Sequence, residues 1–309
     1  MLDFNPEPLL AAFATLYLVS LGHSLMERSG VLNLAIDGVF FLSTGIAVSL
    51  AVSLYNYLSP LGFESALPAL AAILLTGVLT SLIGVFMAWT LTALPVNHGA
   101  LGLSLQFVGY GLGVMIGYPT RQYTGSIEPY TLPHGYTSLL TPLILVLTWG
   151  LTAHVLLEKT TLGASIKACG ENPHAASSLG VDVLKTRIIA GALGFYILGV
   201  GSALYPLAWQ RYWDIQLYRL GYGWLAFTIA LASGRRPLHL IPLSLFFGGL
   251  VEYSIRLQAV AGIPVDVAKL IPFAATLGVM VLYGATRLRR IYAPPSSLGR
   301  LFYREDRST

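Results

Sequence analysis

Residues Glu158 to Arg187 read EKTTLGASIKACGENPHAASSLGVDVLKTR. The stretch is polar, rich in small residues and mixed in charge. It lies between two apolar runs, Leu139–Leu157 and Ile188–Trp209, each long enough to cross a bilayer. Irregular polar backbone cannot lie in hydrocarbon, so this island belongs in water between two spans. Its own residues punctuate it. Asn172 is a favoured N-cap, and Pro173 suits a first helical position because its missing amide would be unpaired there anyway. Glu171 lies near the positive end of the helix so started. Gly180 suits a left-handed stop. A second short helical piece, Gly163–Cys169, precedes it, and Gly170 is the expected hinge between the two. From spacing alone, a rigid pair of short helices and an ordinary loop with one capped turn both fit.

Composition bounds the rest. Hydrophobic residues make up 55% of 309 positions and charged residues only 10%, against roughly 25% charged in soluble domains. Mean hydropathy is +0.70. These values describe a polytopic membrane protein. The net charge of +4 is too small to suggest a nucleic-acid partner, and the basic residues read better as topology signals. The single cysteine, Cys169, excludes an internal disulfide and a cysteine-based metal cluster. The N-terminal MLDFNPEP is acidic and does not read as a cleaved signal peptide. No soluble stretch is long enough for a nucleotide-binding domain and no phosphate-binding G-x-x-x-x-G-K-[ST] run occurs. Any ATP hydrolysis belongs to another chain, and this one is expected to be non-enzymatic.

About nine apolar runs are candidate spans: 8–26, 31–58, 68–93, 99–118, 139–157, 188–209, 222–233, 242–259 and 267–283. The expected fold is an all-α transmembrane helix bundle of nine to ten spans, one domain over residues 1–309. The run 222–233 is short for a full crossing, which needs about 20 residues, and reads as half of a broken helix or as a span extending to His239. Lys159, Lys167, Lys185 and Arg187 fall in the island. Arg235 and Arg236 follow the seventh run. Arg287, Arg289, Arg290, Arg300, Arg304 and Arg307 crowd the tail, 285–309. Counting crossings puts all three groups on one side, which the positive-inside rule makes cytoplasmic. The N-terminus then lies outside a cell membrane, together with the links Tyr118–Ser138 and Gln210–Gly221, and the C-terminus inside. The tail reads as a surface anchor or as a disordered end.

A few polar residues interrupt the spans. Asn33 and Asp37 are four apart, hence on one helical face, and an intramembrane acid is placed by default toward a cavity or a partner. Gly30 and Gly38 permit local unwinding there. Gly109, Gly111, Gly113 and Gly117 mark one close-packing face, and Gly191, Gly194, Gly199 and Gly201 another. Glu252 and Arg256 have the spacing and order of an intrahelical ion pair. His98 is isolated and makes no zinc site, which needs three or four convergent ligands.

Several motifs carry a family resemblance. KACGENPHAASSLGVDV resembles the cytoplasmic coupling segment of ABC-importer permeases of the simple-sugar and nucleoside class, where AxGENPxAAxxxGI is typical. ERSGVLNLAIDG, residues 27–38, resembles ERSGVxNIGLEG, with Asp37 where Glu is usual. PVNHGALGLSL, residues 95–105, matches NEVISGLALN at Asn97 and Gly102, with His98 where an acid is common. GYGWLAFTIALASGRRP, residues 221–237, resembles GxGFxALAAVIFGxWRP, a broken helix with a basic turn. VEYSIRLQAVAGIPVDVAKLIP, residues 251–272, resembles the closing EALQxRLQxxG…LPY, with Phe273 where Tyr is usual. The resemblance implies that Gly170, Glu171, Asn172, Pro173, Ala175, Ala176, Leu179 and Gly180 meet an ATPase subunit, and that Asn33, Asp37 and Asn97 border the translocation pathway. It implies an ATPase with two fused nucleotide-binding domains, holding the ATP and Mg²⁺ that this chain does not bind. It also implies a second permease that is a paralogue rather than a copy, and an extracellular solute-binding lipoprotein. Two other readings compete. An ion-coupled secondary transporter would use Asp37, Glu252 and broken helices, but has no need of a rigid cytoplasmic island. A membrane enzyme would need converging nucleophile, base or metal ligands, and the six histidines are scattered.

Overall fold

The computed structural model describes residues 6–63, 66–119, 127–262, 264–287 and 292–302. Arg289, Arg290, Arg304, Arg307 and part of the Tyr118–Ser138 link lie outside them. The described residues form eleven α-helices and no strand: α1 Pro6–Glu27, α2 Ile36–Leu58, α3 Ala66–Ala93, α4 His98–Gly117, α5 Tyr136–Lys159, α6 Thr161–Glu171, α7 Pro173–Ser178, α8 Val183–Leu204, α9 Tyr222–Ala232, α10 Pro237–Ala261 and α11 Val265–Ala285. A π-turn, Tyr205–Trp209, prolongs α8. Six helices, including α8 with this extension, are long and apolar enough to cross a membrane. Every predicted apolar run is a helix, with ends displaced by five residues at most.

α1 is the axis of the bundle. Every residue from Ala11 to Glu27 is buried, which fits a helix that is apolar all round. It packs against α5, α8, α9 and α10, and α8 is sandwiched between α1 and α3. The outer helices turn large apolar residues to the outside: Leu82 on α3, Phe107 and Met115 on α4, Leu147 and Leu151 on α5 are exposed. In water these would be a liability; against lipid tails they cost nothing.

With no hydrophobic force between helices in a bilayer, close backbone approach supplies the cohesion. Glycine pairs make it here. A Cβ on Gly22 would lie 2.2 Å from the Gly194 carbonyl oxygen, and one on Gly194 2.6 Å from that of Gly22. Gly84 of α3 and Gly191 of α8 meet in the same reciprocal way, while Gly38 of α2 lies against the Gln106 backbone of α4 and Gly109 of α4 against the Gly38 carbonyl. The expected glycine faces on α4 and α8 therefore exist, except at Gly111, which has nothing within 4 Å. Gly38 is a packing glycine inside α2 and not an unwinding point. Because the opposing atoms are backbone, Gly22→Ala is expected to cost about 1–3 kcal/mol. It should show as a lower thermal unfolding midpoint of the detergent-solubilised chain, with Gly111→Ala as an unaffected control.

Two elements do not cross. Residues 31–35 are non-helical, entering the bundle beside the first half of α4, where His98 Nδ1 accepts from Leu32 N at 3.2 Å. α9 has 11 residues, about 16 Å at about 1.5 Å per residue, half of a hydrocarbon core of about 30 Å. The short seventh run is thus a half-helix, closed by Gly234 and Arg235 in left-handed conformations and followed by Pro237.

Candidate functional site

α6 and α7 form the island between α5 and α8. Thr160 caps α6, its Oγ1 accepting from Gly163 N at 3.0 Å. Asn172 ends α6 and starts α7. Its amide still donates to Ala168 O at 2.9 Å, while its Oδ1 accepts from Ala175 N at 3.0 Å. One residue serving both helices, with Pro173 next, leaves a tight elbow with no slack. α7 stops as expected at Gly180, φ +88°, with Gly180 N donating to Ser177 O and Val181 N to Ala176 O, both at 3.0 Å. This double bond pattern satisfies carbonyls the helix end would otherwise strand.

The elbow differs from the sequence expectation in two details. α6 is longer than Gly163–Cys169, and the break falls at Asn172 rather than at Gly170. Gly170 lies inside α6, where a Cβ would come 2.1 Å from the Arg28 carbonyl oxygen. Its smallness seats α6 on the loop after α1.

The expected contact residues divide into two faces. Pro173 and Ala176 are buried, and Ala176 packs with Cys169 and Val183 in a small apolar cluster beneath the elbow. They and Gly170 face this chain's own bundle. Glu171, Asn172, Ala175, Leu179 and Gly180 are exposed. Leu179 stands out: its side chain is 85% exposed, among the serines and glycine of the tip. A lone leucine at the apex of a rigid polar knob has no role in this chain's own core.

Asp37 lies at a different centre, inside the bundle. Its Oδ2 accepts from Tyr110 Oη at 2.5 Å and its Oδ1 from Gly223 N at 2.8 Å. Gln106 Nε2 donates to the same Tyr110 hydroxyl at 3.2 Å. Asp37 thus binds the start of α2 to the middle of α4 and to the N-terminus of half-helix α9. The aromatic rings of Phe40, Tyr205, Trp209 and Tyr222 pack edge-on and tilted beside it. The expectation that Asn33 shares a helical face with Asp37 fails, because α2 begins only at Ile36. Asn33 belongs to the non-helical entry, where its Oδ1 accepts from Ala35 N at 3.1 Å. Asn97 lies at the other end of α4 as its N-cap, accepting from Ala100 N at 3.1 Å. The three expected pathway residues are therefore not one cluster.

A third group locks the C-terminal end of α1. Glu27 pairs with Arg235 Nε at 2.5 Å and lies 3.3 Å from His23 Nε2, all three buried. Arg28 Nε donates to the Arg235 carbonyl at 3.1 Å. The Glu252–Arg256 pair forms at 3.4 Å, and Glu252 also accepts from Trp209 Nε1 at 3.2 Å. Among the described residues no three His, Cys, Asp or Glu side chains converge as a metal site would require.

The family described as branched-chain amino acid transport system / permease component matches residues 5–280. The chain belongs to this family. The permease is similar to the nucleoside ABC transporter permease protein NupC of Lactococcus lactis subsp. cremoris, 24% identical over 87% of this chain and 88% of the relative. It is similar also to the guanosine ABC transporter permease protein NupQ of Bacillus subtilis, 27% identical over 78% and 79%. A third relative, TsgC13 of Haloferax volcanii, provisionally named a glucose ABC transporter permease protein, is 26% identical over 81% and 76%. No solved structure matches the chain.

Two residues of this permease escaped the sequence reading. Tyr110 lies in a glycine-rich run that reads as packing only, and nothing in the spacing links it to Asp37, 73 positions earlier. Ser297 lies in the tail, whose Pro294, Pro295 and Gly299 are turn-forming residue types but carry no sign of what the turn touches.

Proposed function

We propose that the chain is the membrane subunit of an ATP-driven importer of the ABC class, moving nucleosides or simple sugars inward by alternating access. The observation that carries the coupling assignment is the exposed tip of the α6–α7 elbow, a rigid knob with Leu179 at its apex. It fits a cleft on a separate ATPase, which holds the ATP and Mg²⁺ and has two fused nucleotide-binding domains. The exposed residues Glu171, Asn172, Ala175, Leu179 and Gly180 make the contact; Gly170, Pro173 and Ala176 hold the knob in place. The chain contributes no bond-breaking step. A paralogous permease completes the pathway, and an extracellular lipoprotein delivers solute. The nucleoside class is favoured by the names of two similar permeases, and Asp37 acts by holding the broken helix α9 beside the pathway.

Proteoliposomes holding the two permeases, the ATPase and the binding protein test the whole reading. Uptake of labelled nucleoside should need ATP and be competed by excess nucleoside but not by excess glucose. Uptake driven by a proton or sodium gradient without ATP would overturn it. The orientation, with the N-terminus outside the cell membrane and the C-terminus cytoplasmic, rests on the basic residues at the α6–α7 end. A cysteine at the exposed Ser178 should react with an impermeant thiol reagent only in inside-out vesicles, and one at Pro129 only in right-side-out vesicles. The reverse pattern would invert the topology and remove the elbow from any cytoplasmic ATPase.

A further inference from the structure

The described end of the tail is not a loose end. It folds back across the face of the bundle that carries the elbow, and it is fastened at two places. At the first, Gly234 has no Cβ where the ring of Tyr292 lies, a Cβ there falling 2.5 Å from Tyr292 Cδ1. Arg236 covers that ring at 5.7 Å and His239 packs against it at 5.4 Å, while Tyr283 Oη donates to the Tyr292 carbonyl at 2.9 Å. At the second, Ser297 N donates to Gly170 O at 2.9 Å, and Ser297 Oγ lies 2.6 Å from Gly170 O and 3.1 Å from Cys169 O. Ser296 Oγ donates to Glu171 Oε2 at 2.7 Å. Gly299 N donates to Gly30 O at 3.2 Å, and Phe302 closes over Arg187 and the ring of His174.

The two fastenings join different machinery. The first is the turn between α9 and α10, the far end of the half-helix that Asp37 holds. The second is the last turn of α6, one residue before the elbow. These carbonyls at the end of α6 have no intrahelical partner, so bonding them fixes where the helix ends and how the elbow is aimed. The family match stops at residue 280, before this segment begins.

We propose that residues 292–302 are a strap that carries movement of the elbow to the α9–α10 turn, and that Ser297 is the positioning residue at its elbow end. The proposal rests on the reading that the α6–α7 tip meets an ATPase.

Cys169, the chain's one cysteine, reports on the strap without any added label site. It is fully buried in the cluster against which Phe302 packs, and burial pushes its thiol up, so it should be nearly inert to maleimide. The experiment uses the assembled transporter with Ser296→Ala/Ser297→Ala at one end of the strap and Tyr292→Ala at the other, compared with Leu179→Asp. The serine variant should raise the Cys169 labelling rate roughly tenfold, the factor for losing about one net hydrogen bond of fixation. Both strap variants should keep ATPase binding and ATP hydrolysis while solute moved per ATP hydrolysed falls severalfold. An unchanged labelling rate in the serine variant would show that Ser297 does not fix the elbow. An unchanged transport ratio in both variants would show that the strap carries no movement. Failure of the underlying reading is separate: the ATPase would then bind the Leu179→Asp permease normally.

Discussion

Leu179→Asp is expected to leave the permease inserted and folded, yet abolish solute-stimulated ATP hydrolysis and uptake. The side chain is 85% exposed and touches nothing that holds this chain together, so the fold should not register the change. A leucine filling a partner's pocket behaves differently. Truncating or charging an interface anchor costs about 2 kcal/mol or more, roughly thirtyfold in affinity. ATPase co-purification measured beside thermal unfolding separates the two effects. Ala175→Glu, on the same face, should act in the same direction. Ala176→Glu would be a poor test, because the buried Ala176 would place a charge in the cluster with Cys169 and destabilise the elbow itself. Normal uptake by Leu179→Asp would remove the knob from the docking surface.

Asp37→Ala is expected to be the most damaging change inside the bundle. It removes both acceptors at once, stranding the Gly223 amide and the Tyr110 hydroxyl in a buried site. Each unsatisfied group costs about 1–3 kcal/mol. The half-helix α9 has only 11 residues, and its N-cap, Gly221, has no side chain to cap it, so its N-terminus has little else to hold it. The variant should assemble poorly and unfold at lower temperature. Asp37→Asn keeps the acceptor for Gly223 N and mismatches only the Tyr110 hydroxyl. It should therefore assemble, with transport reduced. Should Asp37→Ala instead assemble with full thermal stability, the carboxyl is not the lock of the broken helix.

Much of this was legible in the sequence. Apolar runs gave each helix because a spanning segment must satisfy its own backbone, and that demand is local. The Asn172–Pro173 cap and the Gly180 stop were readable for the same reason: capping joins groups three or four residues apart. What the sequence could not order was anything joined across the fold. It placed Asn33 on a helical face because spacing assumes the helix is already running, whereas the His98 ring and the Asn33 side chain bond the backbone of residues 31–35 and the helix starts only at Ile36. It left Ala175 and Ala176 equivalent, and only packing against Cys169 and Val183 turned one inward and the other outward. It linked Asp37 to neither Tyr110 nor Gly223, 73 and 186 positions away, since no period connects helices that meet only in the bundle. The tail read as loose because its hydrogen-bond partners, the carbonyls at the end of α6, are backbone groups that every residue possesses. The sequence alone determined the helices, the caps and the family motifs. Which face of the elbow is free, and what the tail binds, were decided by tertiary packing, because both depend on which backbones approach closely enough to exclude a side chain.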